Sequence, residues 1–66
     1  MYDITVTYEG SLCLVKPNTK EAREWMDENI APDAQWWVGC LVVENRYIDN
    51  LLYGIEDAGF NVSAPA

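Results

Sequence analysis

Sixty-six residues carry eleven carboxylates against four Lys and Arg, a formal charge of −7, and half of the residues are apolar. Such a chain makes one domain with a radius of gyration of roughly 11 Å and a thin core, and its balance is globular rather than disordered. The charge argues against direct binding to nucleic acid or an anionic membrane, and the absence of histidine removes imidazole base catalysis and imidazole metal ligation from this chain.

Residues 2–8 alternate, with Tyr2, Ile4, Val6 and Tyr8 on one side and Asp3, Thr5 and Thr7 on the other. That period of two predicts a strand. Glu9-Gly10-Ser11 is a turn signal, and Leu12-Cys13-Leu14-Val15-Lys16 predicts a second strand, so residues 2–16 are expected to form a hairpin. Pro17-Asn18 ends it. Asn18 is the expected helix cap, with Glu21 reaching back to it. Ala22, Trp25, Met26 and Ile30 then recur at helical spacing, with Glu21, Glu24 and Glu28 on the outer face. Pro32 stops this helix by about Ala31.

Residues 35–43 are nearly continuous apolar sequence and predict one central strand, with Gly39 marking a bulge. Asn45 is the expected cap of a second helix, whose buried stripe is Tyr47, Ile48, Leu51, Leu52, Ile55 and Ala58. Gly59 reads as a glycine stop, with Phe60 folding back toward Ile55. Residues 60–63 predict a short last strand, and residues 64–66 are expected to fray. The order ββαβαβ gives an α+β fold: a two-layer sandwich over residues 1–66, with a four-stranded mixed sheet and both helices on one face. The final β-α-β crosses over right-handed and makes its two strands parallel.

No stretch reaches the ~20 apolar residues that cross a bilayer, and the start at Met1-Tyr2-Asp3-Ile4 lacks the pattern of a signal peptide, so a cytoplasmic product is expected. Cys13 and Cys40 each sit inside an apolar run. They read as small buried hydrophobes, with a single disulfide between them as the alternative. No Gly-rich phosphate loop and no nucleophile elbow occur. Carboxylate pairs on solvated helix surfaces make poor general acids, and Asp27, Glu28 and Asp33 lack the spacing of a calcium loop. No catalytic, cofactor or metal site is expected, and the chain reads as a non-enzyme.

Two features break local rules. Helix C-termini favour cations by ~0.3–1 kcal/mol each, yet Asp27 and Glu28 end the first helix, with Asp33 just beyond, and Glu56 and Asp57 end the second. Only Lys20 and Arg23 are spaced to pair with Glu24 and Asp27. Rule-breaking of this kind tends to mark function, set against the plain alternative that acidic surfaces keep small proteins soluble. Averaged over the surface, the acids give one charge per roughly 390 Å², against one per about 110 Å² on duplex DNA. Imitation of DNA therefore requires that they gather on the helical layer. The second feature is Trp36-Trp37, whose side chains point to opposite faces of a regular strand, so that one belongs to the core and the other to the open face; the alternative is that Gly39 or a loop lets both be buried, or that the hairpin shields the second. An exposed tryptophan is a typical binding anchor.

Ala22-Arg23-Glu24-Trp25, Gln35-Trp36-Trp37-Val38-Gly39 and Leu41-Val42-Val43-Glu44 with Arg46-Tyr47 resemble a group of short uncharacterised proteins of bacteria, phages and mobile elements, over about residues 2–60. That group implies no chemistry. In size and acidity the chain is also similar in type to phage anti-CRISPR proteins. This likeness implies an inhibitor acting in the host bacterial cytoplasm on a basic, nucleic-acid-binding partner, a type I CRISPR effector subunit, where the protospacer-adjacent motif is read. The expected partner-binding residues are Glu24, Asp27, Glu28, Asp33, Glu56, Asp57 and Trp36, on a monomer that touches neither nucleic acid nor membrane. The alternative is a module that self-associates through its open, tryptophan-bearing sheet face.

Overall fold

The computed structural model describes residues 2–30 and 33–63. Met1, the helix stop at Ala31 and Pro32, and the expected fraying of residues 64–66 lie outside the described residues. In chain order the elements are β1 (Ile4–Glu9), β2 (Leu12–Pro17), α1 (Lys20–Asn29), β3 (Trp36–Trp37), β4 (Cys40–Glu44), α2 (Asn45–Asp57) and β5 (Val62–Ser63). The strands form one mixed sheet in the order β3-β4-β2-β1-β5. The expected α+β class holds. The sheet has five strands rather than four, because residues 35–43 are not one strand.

Val38 and Gly39 break that run. Their φ values of 49° and 75° are the two successive positive angles of a tight hairpin turn whose twist matches that of the strands it joins. The turn folds Trp37 against Cys40 and Trp36 against Leu41. Gly39 therefore closes a hairpin rather than a bulge.

Ile4, Val6, Cys13, Val15 and Leu41 point from β1, β2 and β4 to one face, where Ala22 and Met26 of α1 and Ile48 and Ile55 of α2 cover them. Burying such aliphatic side chains contributes roughly 1.5–3 kcal/mol each. Both helices thus lie on the same face, as expected. Antiparallel pairing of β4 with β2 and of β2 with β1, then parallel pairing of β1 with β5, makes β4 and β5 parallel. The β1–β2 hairpin separates them, so the α2 crossover spans the sheet.

Local chemistry sets the helix ends. The α1 cap is Thr19, one residue later than expected, and its Oγ1 accepts from the Ala22 N–H at 3.1 Å. Asn18 instead ties the hairpin base, donating from Nδ2 to Thr5 Oγ1 at 2.7 Å and to the Tyr2 carbonyl at 3.2 Å. Asn45 is the first residue of α2 rather than its cap, Glu44 being the cap. The Asn45 side chain staples the helix to the β1–β2 turn: Nδ2 donates to the Gly10 carbonyl at 2.9 Å, and the Cys13 thiol donates to Oδ1 at 3.0 Å. The stop at the end of α2 is as expected. Gly59 has φ 96°, its N–H reaches the Glu56 carbonyl and the Phe60 N–H reaches that of Ile55, the double bond pattern of a glycine C-cap. Tyr47, at 54% exposure, and Ala58 stand outside the buried stripe predicted for α2.

Candidate protein-binding surfaces

Two surfaces differ in character. The outer side of the helical layer carries Glu21, Glu24, Asp27 and Glu28 on α1 and Asp49, Glu56 and Asp57 on α2, all exposed. Three cations share these helices, and each already holds a carboxylate. Lys20 pairs with Glu24 at 3.9 Å, Arg23 with Asp27 at 4.0 Å, and Arg46 with Glu44 at 2.8 Å. The two i,i+4 pairs predicted on α1 are present, and at such exposure each contributes little to stability. They also partly neutralise two expected contact residues, Glu24 and Asp27. Among the described residues, Glu21, Glu28, Asp49, Glu56 and Asp57 hold no ion pair. Glu56 and Asp57 line a depression of about 270 Å³ beside the exposed Tyr53. Asp33 is exposed in the loop between α1 and β3. Asp27, Glu28 and Asp33 do not converge: among the described residues no cluster of three or more potential ligands is placed to hold a metal ion.

The density of charge decides what this layer can do. Eleven carboxylates on 4578 Å² leave one per roughly 420 Å², and seven on about half that surface leave one per roughly 330 Å², still about three times sparser than DNA phosphates. The layer attracts a basic surface without replacing phosphates one for one.

The second surface is the open face of the sheet. Its outward residues form three rungs. Glu44, Leu12 and Glu9 lie across one end, Val42, Leu14 and Thr7 across the middle, and Cys40, Lys16 and Thr5 across the other end. Trp37 stands beside Cys40 at the β3 edge, 60% exposed. Leu12, Leu14, Trp36, Trp37 and Val42, with Glu9 and Gln35, line an open groove of about 490 Å³.

Trp36, the expected contact residue, is the less exposed of the two tryptophans. Trp36 shares a face with Leu41, is half-buried against the core, and lies under the Arg23 guanidinium at 5.9 Å from the ring centroid. Trp37 is the exposed member of the pair. The alternation of a strand separated the two faces on sequence grounds, but the direction of the pleat depends on the β3–β4 register, which the concealed turn at Val38 sets.

Cys13 and Cys40 are free thiols. Their register places them on opposite faces, so no disulfide joins them. Cys13 is buried as expected and Cys40 only partly so. Burial pushes the Cys13 thiol up, and the Asp49 carboxylate pushes it further. The inward thiol is thus a neutral packing group rather than a nucleophile. No helix among the described residues is long and apolar enough to cross a membrane.

Compared with known proteins, the chain matches no family model, no curated protein and no solved structure.

Proposed function

We propose that this protein is a non-enzymatic inhibitor that seats its acidic helical layer on a basic, nucleic-acid-binding surface of a partner protein. One observation carries the reading: seven exposed carboxylates share one layer, and the three cations on those helices are all engaged by carboxylates. Lys and Arg of a partner form charge-assisted bonds with carboxylates as they do with phosphates, and a field of one sign steers the encounter. Glu28, Glu56 and Asp57 carry the contact, since each is exposed and without an internal cation. Glu24 and Asp27 contribute less, because Lys20 and Arg23 compete for them. The likeness in size and acidity to anti-CRISPR proteins directs the first test to a type I CRISPR effector and its reading of the protospacer-adjacent motif.

The test is capture of the partner from a bacterial lysate with and without competing duplex DNA. Duplex DNA and raised salt are expected to release the captured protein, and the triple substitution Glu28→Lys, Glu56→Lys, Asp57→Lys to abolish capture. Capture that survives DNA, salt and charge reversal contradicts the reading.

A further inference from the structure

We infer that the open sheet face is the contact between two copies of this chain, related by a twofold axis that runs across the strands. This takes up the alternative of self-association through the sheet face and is independent of the role proposed for the helical layer.

The register carries the argument. β2 is the central strand of five, and its outward residues are Leu12, Leu14 and Lys16. Leu14 is therefore the centre of the face. Glu9 and Glu44 flank Leu12 at one end, whereas Lys16 stands at the other. Two kinds of twofold axis can lie in such a face. An axis along the strands sets Lys16 on the second copy's Lys16 and Glu9 on the second copy's Glu44, like against like, which is costly at an interface. An axis across the strands reverses the second sheet. Lys16 then lands over the second copy's Leu12, between its Glu9 and Glu44, and Leu14 meets Leu14. The Lys16–Leu12 contact occurs twice and the Leu14–Leu14 contact lies on the axis, as a twofold interface requires.

Charge also selects the occupant. The chain carries −7 overall, but this face is locally balanced. Glu44 is held by Arg46 at 2.8 Å, and Glu9 is matched by Lys16. It is therefore the part of the surface where a second strongly acidic copy meets no excess of like charge. The groove of about 490 Å³ between Trp37 and the Leu12, Leu14 and Val42 floor gives apolar side chains of the second copy a place to enter. Strands of six, six, five, two and two residues, at ~3.3 Å per residue and ~4.8 Å spacing, give a footprint of about 330 Å², or on the order of 400 Å² buried per copy once relief is counted. That is smaller than most specific interfaces, so the dimer is weak, with a Kd on the order of 0.1–1 mM.

Sedimentation equilibrium from micromolar to about 1 mM protein, at about 0.05 and 0.5 M salt, tests this. The prediction is a monomer–dimer equilibrium that tightens with salt, because screening relieves the repulsion between two copies of −7 while apolar burial persists. Lys16→Glu and Glu9→Lys, both exposed positions, are each expected to weaken the dimer about tenfold. Mixing the two variants is expected to restore it to within about threefold of wild type, because both contacts between positions 16 and 9 then regain opposite charges, while Glu44 stays held by Arg46. Restoration also shows that both variants are folded, which circular dichroism checks separately. A monomer throughout the range, a dimer indifferent to both single substitutions, or a mixture no tighter than its components overturns the inference.

Discussion

Trp36 and Trp37, neighbours in the chain, serve opposite faces of the sheet: Trp36 packs under Arg23 against the helical layer, and Trp37 is 60% exposed on the open side. Their substitutions should separate accordingly. Trp36→Ala is expected to destabilise the fold by about 2–3 kcal/mol through lost burial and a cavity, whereas Trp37→Ala stays within about 0.5 kcal/mol. Urea denaturation of the two variants reads the difference directly.

The β3–β4 turn stores strain. Val38 has φ 49°, a region that penalises β-branched side chains, and it is 78% exposed, so the strain is not offset by packing. Val38→Asn places the preferred Asn-Gly pair at this turn and is expected to stabilise the protein by about 1 kcal/mol. A rise of several degrees in thermal midpoint is the readout.

Two glycines of the α2 region should respond with opposite sign. Gly54 lies inside the helix, and a Cβ there meets open space. Gly54→Ala is expected to stabilise by about 0.5–1 kcal/mol. Gly59 holds φ 96° at the helix stop, and Gly59→Ala is expected to cost about 1 kcal/mol or more. Paired denaturant titrations test both.

Cys13 gives stability a pH dependence. Its thiol is pushed up in the folded state by burial and by Asp49, so the unfolded chain loses this proton first as pH rises. Below the ordinary thiol range of about 8.5–9 the contribution is complete, and above it stability falls with pH until the folded-state thiol itself ionises. Cys13→Ala, less stable at neutral pH through the lost packing and the lost contact to Asn45, should show a shallower fall between about pH 8 and 9.5, before tyrosines and lysines dominate.

Much of this fold is legible wherever local and global preferences agree. The alternation of Ile4, Val6 and Tyr8, the helical spacing of Ala22 and Met26, and the Gly59 stop each specify their element, and the structure has each as read. The β3–β4 hairpin is hidden for a physical reason. Its turn carries valine at the first of its two positions, where turns favour Asn or Gly, so residues 35–43 present a nearly continuous apolar run in which Gly39 alone reads as a bulge. Asn18 and Asn45 mislead because each resembles a cap while its side chain bonds across the sheet, to Thr5 and to the Gly10 carbonyl. The acids were placed by the helices that carry them, and so was their pairing with Lys20 and Arg23. Which tryptophan is exposed depends on the concealed turn and cannot be read from spacing.

The central claim is that the helical layer, not the sheet face, engages a foreign partner. The most direct measurement compares partner binding by wild type, by Trp37→Ser, and by the triple substitution Glu28→Lys, Glu56→Lys, Asp57→Lys, using the protein captured from lysate as the immobilised ligand. The account predicts that Trp37→Ser binds within about threefold of wild type and that charge reversal weakens binding by more than about a hundredfold. Binding lost in Trp37→Ser and retained after charge reversal would contradict it.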